Sequence, residues 1–156
     1  MAFYTLDELA AEQEEIRLDG FDYDFAFALG ARMRARASAG RMPVAIEIAH
    51  GGDVVFTTIL PGATPDNTVW TARKRAVAQR FHRSSLAMRI EAEEKGYDFN
   101  RRFRLSDDRF VASGGGVPLM LKGGTLIGTA GVSGLPDVED HRLVVIALRE
   151  LLGRPA

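Results

Sequence analysis

The sequence predicts an α+β domain in which a single antiparallel sheet is flanked by helices. Three observations lead there. Val44–His50 with Val54–Leu60, and Val117–Leu121 with Leu126–Val132, are pairs of short apolar runs, each joined by a glycine-rich turn. Helical patterns stand in blocks before, between and after these pairs. Hairpins build antiparallel sheet, and helices in blocks build layers rather than a doubly wound sheet. At 156 residues, with 46% hydrophobic and 26% charged side chains, the chain suits one domain over 1–156, with 1–20 as an N-terminal helical arm.

Each element has its own local reason. Thr5 to Arg17 is acidic and helix-prone, with Leu6, Leu9 and Ile16 as its few apolar points, and reads as a surface helix or docking arm. Phe21 to Ala39 follows; Asp22 or Asp24 can cap it, Phe25, Leu29 and Met33 recur every fourth residue, and Gly40 ends it. Pro43 stops helix, after which Val44, Ile46 and Ile48 alternate onto one face of a strand. Gly51-Gly52-Asp53 turns the chain into the return strand. The alternation suits a sheet with one dry face and one covered less tightly. Pro61-Gly62 and Pro65-Asp66-Asn67 form a loop, and a helix or helix pair runs from Thr68 to Lys95, closed by Gly96. Tyr97–Ser113 has no clear period, though Arg109–Ala112 reads as a short strand. The second hairpin is bracketed by three loops of Gly, Ser and Pro, and Val138–Leu152 is a final amphipathic helix.

Composition removes several chemistries. The chain has no cysteine, which excludes disulfides, thiolate metal sites and thiol nucleophiles. Net charge is −1 and the isoelectric point about 6.3, so no basic field recruits nucleic acid or an anionic membrane. With no basic and apolar leader at the amino terminus and no run long enough to span a bilayer, a cytoplasmic protein is expected.

The candidate site residues fall on the middle helix and in the glycine loops. A helical wheel puts Trp70, Val77, Phe81 and Met88 on one stripe with Lys74 at its edge, while Arg75 points away. An ammonium on an apolar face either holds an anionic ligand, helped by Arg73, or snorkels its head into water. His141 shares the core stripe of the last helix with Val138, Val145, Leu148 and Leu152, while Glu139 and Asp140 point elsewhere. A neutral imidazole there could meet a metal or haem iron, or serve as a hydrogen-bonded core histidine. His50 and His82 lack the spacing of a helical metal site, so no metal centre is read. Ser113, Gly114 and Gly115 resemble half of a phosphate cradle without a Walker lysine, and Ser133 stands just before the last helix, whose N-terminus can assist an anion. Neither serine sits in a nucleophile elbow, and no triad spacing is visible.

Several blocks together carry a family resemblance. Pro43-Val44-Ala45-Ile46-Glu47-Ile48, Leu60-Pro61-Gly62 through Asp66-Asn67 to Trp70, Arg73-Lys74, Phe81 to Ser85, Gly115-Gly116-Val117-Pro118 and Gly128 through Val132-Ser133-Gly134-Leu135-Pro136 to Asp140-His141 resemble the heme-degrading domain family, related to HbpS, GlcG and the C-terminal domain of PduO. The likeness spans about Phe21 to Leu152. It implies a profilin-like fold, a homo-oligomer built as a dimer or a ring of dimers, and haem or another small anionic ligand. The close subgroup usually carries His-Gly-Gly before the proline strand, where this chain has Ser113-Gly114-Gly115, so any ligation by that histidine is lost. Two functions follow. One is an oligomeric ligand-binding protein with a pocket lined by Trp70, Arg73, Lys74, the Ser113–Gly115 loop, Ser133 and His141. The other is an interaction or scaffold protein whose glycine loops serve subunit packing. The residues leave any catalysis, and the identity of the cofactor, open.

Overall fold

A capping box starts helix α1, Leu6–Glu15: Thr5 accepts from the Glu8 amide while Glu8 accepts from the Thr5 amide. Helix α2, Tyr23–Ala39, begins at Asp22, whose carboxylate accepts the Phe25 amide at 2.7 Å. Strands β1 (Ala45–His50) and β2 (Asp53–Ile59) then form the first hairpin. Helices α3 (Pro65–Phe81), α4 (Ser85–Lys95) and α5 (Phe99–Phe103) follow, then strands β3 (Gly116–Met120) and β4 (Leu126–Ser133), and helix α6 (Asp137–Leu151). This computed structural model describes residues 4–155.

The four strands are antiparallel in the order β2-β1-β4-β3, so the two hairpins join through β1 and β4. One face of the sheet meets α2 and α6. There Val44, Ile46 and Ile48 pack with Leu29, Met33, Val145 and Leu148 in the main core. The other face is covered by α3, which lies on β4, β3 and β1. β1 is therefore buried on both sides, whereas its alternation had suggested one looser face. The reason is Glu47: it points under α3 and is neutralised by Arg75 at 2.8 Å. Arg75 thus faces the sheet, contrary to the wheel projection.

The span expected as one helix or a pair is a pair. His82 takes a left-handed φ of 56° and ends α3, and Ser84 caps α4 by accepting from the Ala87 amide. The illegible segment contains α5 and a second apolar cluster in which Phe81, Phe99 and Phe103 meet edge to face or tilted. Arg109–Ala112 is not a strand; one of its amides, Val111, donates to the Arg73 carbonyl. Outside the two hairpins, the chain after α1 protects an edge. Leu18 donates to the Met120 carbonyl and accepts from the Lys122 amide, covering the C-terminal end of the β3 edge. Among the described residues no helix is long and apolar enough to cross a membrane.

Candidate functional site

The glycine loops converge on Lys74. A Cβ at Gly116 would lie 2.2 Å from the Lys74 carbonyl oxygen, and one at Gly115, whose φ is +133°, would lie 2.3 Å from the Val132 carbonyl oxygen. Glycine is what lets this loop rest on the backbone of α3 and β4. Beneath it the Lys74 ammonium donates to Asp140 Oδ2 at 2.9 Å and to the Val132 carbonyl at 3.1 Å. Lys74 is 3% exposed and Asp140 0%. Asp140 also accepts from the amides of Leu135 at 3.0 Å and Gly134 at 3.3 Å. Asp137, one turn earlier, accepts from the Gly114 amide at 2.9 Å and pairs with Arg89.

This arrangement is a closed latch. It ties α3, the Gly114–Gly116 loop, the end of β4 and the start of α6 into one buried network, and its lysine is spent on an internal carboxylate. The head of Lys74 is therefore buried and paired within the chain, and does not stay wet. Asp140, projected away from the core by the wheel, is fully buried and points at Lys74, where the amides of Gly134 and Leu135 also hold it.

Burial is the largest influence on the Asp140 carboxyl, and it raises the pKa from 3.8 to about 6 against the opposing pull of Lys74 and the two amides. A raised acid pKa means that the native state holds its proton more tightly. The stability contributed by Asp140 is then full below pH 4 and lost as pH rises through about 6. The carboxyl carbon resonance of Asp140 should accordingly titrate with a midpoint near pH 6; a midpoint near 4 would remove this reading of the latch.

The other expected residues divide. Ser133 is buried at the end of β4, between Val132 and Gly134, which both bond into the latch. Ser113 is half-buried beside Gly114. Trp70 leaves the apolar stripe: it is 38% exposed, with the Arg73 guanidinium 5.6 Å from its ring centroid. Arg73 turns toward the Asp108 carbonyl, 3.0 Å from its Nε. Neither belongs to the latch.

His141 faces the opposite way, toward α1. It is 2% exposed, its Nε2 lies 2.6 Å from Glu12 Oε1, and its Nδ1 has no partner among the described residues. The Tyr4 hydroxyl donates to Glu12 Oε2 at 3.2 Å, and the Tyr4 ring stands edge-on to the imidazole at 5.4 Å. Burial and the Glu12 charge raise the Tyr4 phenol above its ordinary pKa. Beside this cluster a cleft of about 440 Å³ opens between α1 and α6, lined by Tyr4, Glu8, Glu12, Glu15, Arg142 and Arg149. A second cavity touching His141, Glu12, Ser84 and Leu9 is only about 10 Å³, the room of one water. Sequence reasoning missed Glu12 and Asp140. Nothing local marks Glu12, since its partner lies 129 residues away. Asp140 had a usable signal in the acids Asp137 and Asp140, three residues apart and directly after the Gly134-Leu135-Pro136 approach to a helix start. Among the described residues no group of three or more His, Asp or Glu side chains could hold a metal ion.

Known proteins share this sequence and shape. A UPF0303 protein of Streptomyces avermitilis is 42% identical over 151 residues, covering 97% of this chain and 93% of that one. Another from Streptomyces coelicolor is 40% identical over 149 residues, 96% of this chain and 94% of that one. The crystal structure of Ybr137w protein superposes with a TM-score of 0.88 at 27% identity, over 96% of this chain and 88% of that one. A PduOC:haem complex follows at a TM-score of 0.70 and 20% identity, over 83% of this chain and 93% of that one, and HbpS at 0.68 and 16%, over 88% and 94%. The last two likenesses show the fold. The family model described as haem degrading protein HbpS-like matches residues 21–149, and the chain belongs to that HbpS-like family.

Proposed function

We propose that the protein is a homo-oligomeric binder of a small carboxylate-bearing ligand, with haem as the ligand tested first. The observation that carries this reading is His141, a buried imidazole whose Nδ1 is unpartnered and whose Nε2 partner Glu12 lines a cleft with Glu8, Glu15, Arg142 and Arg149. An orphaned polar atom in a core is costly, and such atoms concentrate where a ligand or water belongs. Family membership and the PduOC:haem complex support haem as the class. The ligand-facing residues of this proposal are His141, Arg142 and Arg149. Lys74, Gly114, Gly115 and Ser133 hold the loops behind them, and Trp70, Arg73 and Ser113 have no part in it.

Part of the donor set suits haem, an imidazole for iron and the Tyr4 ring for an aromatic plane, whereas Arg149 is paired with Glu12 and Glu15 and Arg142 with Glu139, so each guanidinium must exchange its carboxylate for one of the ligand's. Haem, when bound, would supply an iron centre, and His141 would be the residue to hold it. In this structure Glu12 holds the Nε2 of His141 and α1 fills the adjoining space. Glu12 therefore acts as the gate: it keeps the imidazole paired until α1 yields.

Hemin titration tests this. Wild type should sharpen and shift the Soret band at one hemin per chain, His141→Ala should abolish the change, and Glu12→Ala, which loosens α1, should tighten binding. A free-hemin spectrum in both wild type and Glu12→Ala would eliminate haem. A second reading, that of an interaction scaffold, is favoured by the latch itself, because the glycine loops are packed shut rather than arranged around a hollow. It expects no small carboxylate or porphyrin to raise the melting temperature, whereas a native-state ligand must do so.

A further inference from the structure

Two guanidiniums on α3 are ordered by aromatic rings and a carbonyl rather than by carboxylates. Arg73 donates from Nε to the Asp108 carbonyl at 3.0 Å, and its guanidinium lies 5.6 Å from the Trp70 ring centroid. Arg80, two turns further on, has its guanidinium 5.8 Å from the Phe110 ring centroid. The Val111 amide donates to the Arg73 carbonyl, so residues 108–111 lie along α3 and bring a third arginine, Arg109, beside the first two. Elsewhere on α3 and α4, Arg75, Arg83 and Arg89 meet the carboxylates of Glu47, Glu91 and Asp137, whereas Arg73, Arg80 and Arg109 make no ion pair among the described residues. Arg80 and Arg109 are exposed, and Trp70 is partly exposed beside a half-buried Arg73.

A guanidinium resting on a ring has given up rotamer freedom before any partner arrives, and its donors stay in a fixed fork. Such a fork takes a carboxylate or a phosphate two bonds at a time. Composition and charge choose between them. Trp and Arg are enriched where proteins bind proteins, and Lys is depleted there. The single lysine of α3, Lys74, is buried. A nucleic-acid surface needs an extended positive field instead. Here the chain carries a net charge of −1, and Asp107 and Asp108 stand directly before Arg109. A short run of carboxylates fits the strip better. Arg73 and Arg80 share one face of α3 and stand about 10 Å apart along its axis. An extended peptide covers that distance in about three residues. Trp70, one turn before Arg73, offers its ring to an apolar side chain at that end.

We infer that Trp70, Arg73, Arg80 and Arg109 form a docking strip for an acidic, extended peptide segment of another protein. The strip stands apart from the ligand reading above, in which Trp70 and Arg73 have no part, and its failure leaves the hemin test untouched. The probe is a labelled Glu- and Asp-rich peptide with one Phe, followed by fluorescence anisotropy and by the emission of Trp70, the chain's single tryptophan. Wild type should bind the peptide with an affinity that falls as salt rises, and Trp70 emission should change in step. Arg80→Glu and Arg109→Glu, each keeping the wild-type melting temperature, should weaken binding at least about tenfold, because each sets like charge against the peptide. Arg154→Glu, beyond the end of α6, alters net charge equally and should leave binding within about twofold. A wild type that ignores the peptide, or binds it equally after both charge reversals, overturns the strip. So does a preference for single-stranded RNA of matched charge over the peptide. Native mass spectrometry closes the remaining case: if the two reversals change the assembly and no peptide binds, a second copy of this chain is the occupant and the inference falls.

Discussion

Lys74→Met should destabilise the protein by about 3–5 kcal/mol at neutral pH, because it strands the buried Asp140 carboxylate without the cation that pairs with it. For a chain of this size that is a fall in melting temperature on the order of 10 °C. The loss should depend on pH, with a sign fixed by Asp140. Its carboxyl titrates at about 6 with Lys74 present and higher without it, since removing an opposite charge disfavours ionisation. The cost of the substitution therefore grows as pH rises from 5 to 8. Replacing both partners, Lys74→Met with Asp140→Leu, should recover most of the stability, since neither a lone charge nor an unmet pair remains. Thermal unfolding across that pH range reads both variants against wild type. A Lys74→Met protein as stable as wild type at pH 8 would mean that the latch contributes nothing.

Gly116→Ala should be nearly as damaging, for a steric reason alone. Its φ is not in the left-handed region, yet an added methyl would stand 2.2 Å from the Lys74 carbonyl oxygen and 2.5 Å from its carbon. Both are helix backbone, which cannot step aside as a flexible side chain can. α3 would have to lift from β3, opening the layer that buries Val77 and Val117 and disturbing Lys74 itself. A loss of at least about 3 kcal/mol is expected, the upper end of overpacking penalties. Gly123→Ala is the control: no atom lies within 4 Å of its added Cβ, so its effect should stay within about 0.5 kcal/mol. Equal effects of the two, measured by denaturant unfolding, would mean that α3 does not rest on this glycine.

The layers of the fold were legible because its strands carry their signals locally. Val44, Ile46 and Ile48 alternate, glycine turns mark both hairpins, and Asp22 caps α2 as its sequence suggests. The break between α3 and α4 was harder, since His82 ends a helix in a left-handed conformation that glycine or asparagine would have advertised. The segment around α5 hid its order in an aromatic cluster, which has no sequence period.

The candidate site was half legible. The glycine loops and Lys74 do meet in space, as the spacing of turns at one end of a sheet suggested. What they form is a latch instead of a hollow, and that outcome turned on Asp140, whose direction depends on how a loop enters α6 rather than on helical periodicity. Trp70 illustrates the opposite error. A wheel assigned it to the core stripe, but the ring stands half in solvent with the Arg73 guanidinium over it. Glu12 could not have been found at all from neighbours in sequence. It becomes visible only when α1 folds back over His141.

Hemin titration of two variants side by side is the most direct test of which residues hold the protein together and which face a ligand. Lys74→Met/Asp140→Leu should keep the one-to-one Soret change of wild type, and His141→Ala should lose it. The reverse pattern, with absorbance surviving in His141→Ala and vanishing with the lysine and aspartate, would place recognition at the buried ammonium and contradict the separation of support from contact.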